Sequence, residues 1–82
     1  MTNYSLGITF KSLREARGWT LAQMANALTS NGVEMKTRSG VMRLEERGTD
    51  RRAVLKAYGA IFGMTLDELE TAAAKHEKIH LK

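Results

Sequence analysis

The sequence predicts a compact all-α fold of five short helices. Apolar residues recur three and four positions apart along most of the chain, which is the spacing of one helix face. Threonine or aspartate helix starts alternate with glycine helix ends, and the chain contains no proline. With 82 residues, of which 43% are hydrophobic, residues 1–82 are predicted to form one domain around a single core.

The first two helices are predicted on either side of Gly18. The first helix has an apolar face of Leu6, Phe10, Leu13 and Ala16. Gly18 marks its end. Thr20 followed by Gln23 is a capping-box pattern, in which each side chain satisfies a free backbone N–H group at a helix start. The second helix is predicted to end at Asn31-Gly32. Its core-facing side chains are predicted to be Leu21, Met24, Ala25 and Leu28.

Two further helices follow a connector that has no clear periodicity. Thr37 is predicted to cap the third helix, which stops near Gly48. The inward residues of this helix are Val41, Leu44 and Glu45. Asp50 is predicted to cap the fourth helix, with Arg51–Arg52 in its first turn and Gly63 at its end. The side chains of the fourth helix predicted to face the core are Val54, Leu55, Tyr58, Ile61 and Phe62.

A second capping box, formed by Thr65 and Glu68, predicts the start of the fifth helix. The apolar stripe of this helix runs through Leu66, Leu69, Ala72, Ala73, His76 and Ile79. Leu69 largely completes the predicted apolar core, yet the apolar stripe continues beyond it. Residues 70–82 are therefore predicted to be a helical extension used for self-association. The predicted homodimer surface comprises Ala73, His76, Ile79 and Leu81. The alternative is a frayed C-terminal helix.

Positive charge is concentrated in one quarter of the chain. Residues 36–56 hold seven basic and three acidic side chains, a surplus equal to the net charge of the whole protein, +4. Five of the seven basic residues are arginine, whose planar guanidinium group matches phosphate oxygens and guanine edges. This placement favours a polyanionic partner. The alternative is a solvated basic face that has no partner.

The third helix is the element predicted to contact such a partner, because an α-helix fits the major groove of DNA. Its period leaves six side chains facing outward: Arg38, Ser39, Met42, Arg43, Glu46 and Arg47. Gly40 lies inside this helix, where glycine costs about 1 kcal/mol relative to alanine. That cost is explained if another group must approach the backbone closely.

Over about residues 6–69 the sequence resembles the Cro and lambda-repressor type of helix-turn-helix regulators, also called the xenobiotic-response-element type. The resemblance is carried by residues 13–18, Thr20, Met24-Ala25, Leu28, residues 41–45 and residues 62–69. Three departures are a longer connector at residues 29–35, a slightly shorter segment at residues 48–55, and Leu21 where a phosphate-contacting glutamine is common.

The resemblance implies a lambda-repressor-like domain that binds double-stranded DNA as a dimeric repressor on a pseudo-palindromic operator. It implies a structural ion pair between Arg14 and Glu45. It implies base contacts from Thr37, Arg38, Ser39, Met42 and Arg43. The expected phosphate contacts are Thr20, Gln23, Lys36, Arg47, Arg51 and Arg52. The alternative function is an antitoxin or accessory regulator whose main role is binding a partner protein; a toxin and RNA polymerase are the candidate protein partners.

Other classes of function find little support in the sequence. His76 to His80 match the H-E-x-x-H pattern of zinc proteases, but no third ligand follows and a chain of this size supplies no surrounding cleft. We therefore expect no enzyme, no metal site and no cofactor. RNA binding is a weaker option, because the aromatic residues are few. Absence of cysteine and of a long apolar run predicts a cytoplasmic protein outside the membrane.

Overall fold

A computed structural model describes residues 4–35 and 37–80, with the side chains of residues 5–35 and 37–75. It contains five α-helices: α1 (Tyr4–Ala16), α2 (Leu21–Ser30), α3 (Arg38–Arg47), α4 (Arg52–Phe62) and α5 (Leu66–His80). No strand occurs within these two ranges. The predicted all-α fold of five helices is confirmed.

Both capping boxes form as the sequence predicted. The Thr20 hydroxyl accepts a hydrogen bond from the Gln23 N–H at 3.1 Å, and the Gln23 side-chain oxygen accepts one from the Thr20 N–H at 2.8 Å. Thr65 and Glu68 form the same reciprocal pair at 3.1 and 2.9 Å. At the end of α4, Gly63 adopts the left-handed conformation with φ 66°, which glycine reaches without steric cost.

The predicted start of α4 is wrong by one residue. Asp50 is exposed and does not cap the helix, since Arg51 occupies the N-cap position and Arg52 is the first helical residue. The hydroxyl of buried Thr49 accepts a hydrogen bond from the Arg51 N–H at 3.1 Å. Thr49 thus makes the side-chain hydrogen bond just before α4, and no side chain caps the helix from the N-cap position. Thr37 does occupy the N-cap position of α3, although its side chain makes no capping hydrogen bond.

The five helices share one apolar core. In that core α1 packs against α3 and α5, α2 packs against α3 and α4, and α4 packs against α5. The rings of Phe10 and Tyr58 stack at its centre with centroids 3.9 Å apart and an interplanar angle of 11°. The largest fully buried side chains are Tyr58, Phe10, Met24, Leu28, Leu69, Val41 and Val54. One continuous cluster of this kind accords with a single domain.

Gly7 lets α1 lie directly against the end of α3. A Cβ atom at this position would be 2.5 Å from the carbonyl oxygen of Glu45 and 3.0 Å from the amide nitrogen of Gly48. Both neighbours are backbone atoms, which cannot rotate away as a side chain can. The absent side chain of Gly7 therefore sets how closely these two helices approach.

The core extends one turn further along α5 than the sequence predicted. Ala73 is only 5% exposed and belongs to the core cluster, which leaves little of its surface for a second subunit to contact. His76 and Ile79 have side chains outside the described set, and Leu81 lies beyond the described residues. The predicted dimer surface thus stays a prediction for those three residues. No helix in the described part of the chain has the length and apolarity of a membrane span.

Tyr58 provides a stability test of the core. Its buried hydroxyl has no hydrogen-bond partner among the described residues, so Tyr58→Phe should leave the free energy of unfolding unchanged or raise it slightly. Burial, and secondarily the Glu45 carboxylate, raise the pKa of this hydroxyl above its ordinary value of 10.0. Above pH 10.0, this tyrosine loses its proton in the unfolded chain but keeps it in the folded chain. The free energy of unfolding therefore falls by about 1.4 kcal/mol for each further pH unit.

The measurement is urea unfolding of both proteins from neutral to strongly alkaline pH. The wild-type protein should lose stability relative to Tyr58→Phe only on the alkaline side. A difference between the two proteins that stays constant at every pH would contradict the assigned burial of the hydroxyl.

Candidate nucleic-acid interface

Helix α3 has one buried face and one exposed face. On the buried face Val41 is 0% exposed and Leu44 is half-buried against the core. The opposite face carries six exposed side chains: Arg38, Ser39, Met42, Arg43, Glu46 and Arg47. These are the six residues that the helical period predicted to face outward, so this prediction is confirmed.

The five candidate base-contacting residues lie together at the N-terminal part of α3. Thr37 occupies the N-cap position, and Arg38, Ser39, Met42 and Arg43 follow within the first two turns. All five are exposed. Lys36, a candidate phosphate contact, lies outside the described residues. The arrangement is a short surface of two guanidinium groups, two hydroxyl groups and one thioether.

An ion pair fixes α3 to α1. The Nε and Nη2 atoms of Arg14 donate to Oε2 and Oε1 of Glu45 at 2.6 and 3.1 Å, and Nη1 donates to the carbonyl oxygen of Trp19 at 2.8 Å. The two side chains are only 12% and 7% exposed. The hydrogen bond to Glu45 raises the pKa of Arg14 above its ordinary value. The structural ion pair implied by the resemblance is confirmed, and Arg14 belongs to the scaffold.

The longer connector between α2 and α3 is anchored at both ends. Val33 is buried in the core, and its N–H donates to the carbonyl oxygen of Leu28 at 3.0 Å. The Thr29 hydroxyl donates to the carbonyl oxygens of Ala25 and Met35 at 2.9 and 3.2 Å. These contacts hold the connector on the body of the protein, although the sequence analysis assigned it no structural role.

Gly40 makes room for the end of this connector. A Cβ atom there would fall well inside contact distance of the Met35 sulfur atom. The group that approaches the α3 backbone is therefore a side chain of the same protein. Met35 was missed by the sequence analysis. The only local signal for it is an apolar residue shortly before a helix that contains a glycine.

The candidate phosphate contacts occupy two helix starts and one helix end. Thr20 and Gln23 are exposed at the start of α2, where their side-chain oxygens are engaged in the capping box. Gln23 still carries an amide NH₂ group that can donate to phosphate. Arg47 ends α3, while Arg51 and Arg52 lie at the start of α4, and all three are exposed.

These cations have no acidic partner in the described part of the chain. None of the following side chains forms an ion pair with a described residue: Arg38, Arg43, Arg47, Arg51 and Arg52. A positive charge at a helix N-terminus also opposes the helix dipole, typically by about 0.3–1 kcal/mol. The two arginines at the start of α4 thus have neither an ion-pair partner in the described part of the chain nor a favourable interaction with the helix dipole.

The four aromatic side chains that the structure describes all pack within the protein. Phe10 and Tyr58 are fully buried, and Trp19 packs against Phe62 with ring centroids 5.9 Å apart. The guanidinium group of Arg17 covers the Trp19 and Phe62 rings at 5.0 and 4.6 Å from their centroids. These four rings therefore form no free platform on which unpaired bases could stack.

Fold and site together define a small all-α protein with an exposed, arginine-rich helix face. Comparison of the chain with protein-family models, curated proteins and solved structures finds no match. The likeness to Cro-type regulators thus stays a prediction based on the sequence motifs.

Proposed function

We propose that this protein is a sequence-specific, double-stranded DNA-binding transcription regulator that inserts α3 into the major groove. The observation that carries the proposal is the division of α3 into two faces. Val41 and the Arg14–Glu45 pair fix the inner face, while the outer face presents Arg38 and Arg43 to solvent. Arginine forms bidentate hydrogen bonds with guanine in the major groove, where an α-helix fits.

The cations at the end of α3 and the start of α4 support the same function. Arg47, Arg51 and Arg52 are exposed and close together in the chain, on either side of the turn that leads out of α3. A helix in the major groove has phosphates along both edges, so these arginines would bind the backbone next to the bases that α3 reads. Release of counterions from those phosphates would make the affinity strongly dependent on salt.

The small size of the protein favours binding as a homodimer. One short helix reads few base pairs, so high specificity calls for two copies on a pseudo-palindromic site. The C-terminal extension at residues 70–82 is the proposed dimer contact, and repression follows from the resemblance to Cro-type regulators. The proposed location is the cytoplasm, in keeping with the absence of cysteine from the sequence.

The central experiment is fluorescence anisotropy with the full chain, using duplex DNA from the region upstream of its own gene and duplexes of shuffled sequence. A steep decrease of affinity with salt, together with strong preference for one sequence, is expected. Light scattering on the same samples gives the number of subunits bound. Equal and weak binding to every duplex would contradict the proposal and favour a partner-protein role, as in an antitoxin.

Arg43 and Arg51 should affect DNA binding in different ways. Arg43→Ala should relax the preference at particular base pairs, with a loss of about 1–3 kcal/mol there. Arg51→Ala should weaken binding to all sequences alike and reduce the salt slope by about one. Both effects are measured by anisotropy on a panel of single-base variants.

Lys75→Ala is the control of the same charge, since Lys75 is exposed on α5 and is not among the proposed DNA contacts. Lys75 lies in the proposed dimer extension, so light scattering must first show that the number of subunits is unchanged; the variant should then change neither preference nor slope. If Arg43→Ala and Arg51→Ala behave alike, the assignment of separate base and phosphate roles is wrong.

A further inference from the structure

Met42 is an unusual member of the outer face of α3. It is 45% exposed, and no other large hydrophobic side chain in the described part of the chain is as open to solvent. Its neighbours one turn earlier and one residue later are Arg38 and Arg43, so it lies in the middle of the candidate base-contacting surface. A single exposed apolar residue is common in proteins and has no functional meaning by itself.

Met42 lies next to a second apolar side chain at a cavity on the protein surface. Met42 and Leu21 line the same cavity of about 190 Å³ between α1, α2 and α3. Leu21 is the first residue of α2 and is half-buried. Met42 of α3 and Leu21 at the start of α2 thus present apolar side chains to the same cavity.

Charges around this cavity disfavour a phosphate group. Its lining also includes Glu45 and Glu46, along with Arg14 and Lys11. Because Glu45 neutralises Arg14, the remaining charges are Lys11 and the exposed carboxylate of Glu46. The pocket has no net positive charge for an anion, and its apolar part suits an uncharged methyl group.

We infer that Met42, supported by Leu21, contacts the C5-methyl group of thymine in the major groove. The inference rests on the proposed function and specifies which base the centre of α3 prefers. Thymine is the one unmodified DNA base that presents a methyl group in this groove. Methionine is flexible and polarisable, so it adapts to such a group, and burying one methyl group corresponds to about fourfold in affinity.

Replacing thymine by deoxyuridine tests the inference, because it removes only the methyl group. Duplexes that bind the full-length protein are first selected from a random-sequence pool. The selected duplex is then made with thymine or with uracil at each thymine position in turn. The wild-type protein should bind the thymine form about fourfold more tightly at the contacted position.

Variants separate the methyl contact from any change in the DNA itself. Met42→Ala should bind the two forms equally, Leu21→Ala should reduce the discrimination, and Met42→Leu should restore most of it. Arg43→Ala is the control, and it should weaken binding to both forms while preserving their ratio. The combination of protein and base changes forms a double-mutant cycle that cancels effects of uracil on duplex flexibility.

The outcomes are distinguishable from a failure of the proposed function. If no sequence is enriched from the pool, both the proposed function and the methyl contact are overturned. If a sequence is enriched but the wild-type protein binds thymine and uracil equally at every position, only the methyl contact is overturned. Discrimination that persists in Met42→Ala overturns it as well.

Discussion

Glu45→Ala is expected to lower the free energy of unfolding by about 2–3 kcal/mol. The substitution leaves the guanidinium group of Arg14 in a site that is only 12% exposed, without the carboxylate that binds two of its nitrogen atoms. Removing one partner of a buried pair costs far more than an exposed pair contributes, because the remaining charge is neither paired nor well hydrated. The measurement is urea unfolding monitored by circular dichroism.

Two further variants make this prediction specific. Glu46→Ala removes the same charge from the adjacent exposed position and should change stability by less than about 0.5 kcal/mol. The double variant Arg14→Met with Glu45→Leu replaces the pair by apolar side chains and should recover most of the loss. Equal, small effects of Glu45→Ala and Glu46→Ala would show that the pair contributes no more than a surface contact.

Gly7→Ala is expected to lower the free energy of unfolding by about 3 kcal/mol, the upper part of the usual range for overpacking. The new methyl group would lie 2.5 Å from the Glu45 carbonyl oxygen, so α1 and α3 would have to separate. That movement would also disturb the Arg14–Glu45 pair, which joins the same two helices. The loss outweighs the gain of about 1 kcal/mol in helix propensity when alanine replaces glycine.

Gly40→Ala is the matched control for Gly7→Ala, because both glycines lie inside helices. At Gly40 the added methyl group meets the Met35 side chain, which can change rotamer, instead of backbone. Its effect should be clearly smaller than that of Gly7→Ala in thermal or urea unfolding. A larger loss for Gly40→Ala would mean that the connector, and not the α1–α3 contact, is the more tightly constrained part of the fold.

Much of this fold follows from local patterns in the sequence. The two capping boxes, the glycine that ends α4 and the two faces of α3 depend on residues within one or two helical turns of each other. Such short-range signals can be identified from spacing alone. For the same reason the exposed candidate residues on α3 could be predicted before their surroundings were known.

Features that the sequence analysis missed depend on contacts between elements or on competition between neighbouring residues. Thr49 and Asp50 both have side chains of a type that can bond to a nearby backbone N–H group, but in the structure the buried Thr49 makes such a bond and Asp50 does not cap the helix. The fit of Gly7 against α3 and of Met35 against Gly40 depends on the approach of separate segments. No periodicity encodes such distances, so these positions become visible only in three dimensions.

Because α3 has one buried face and one exposed face, its two faces should differ in how well they tolerate substitution. The buried contacts of this ten-residue helix, Val41 and the Glu45 ion pair, are made from one side, so most substitutions on the other side should leave the scaffold intact. A library randomised at those solvent-facing positions should therefore yield mostly folded members. Under the proposed function, new target preferences would arise at these positions by a few point changes, without compensating changes elsewhere in the chain.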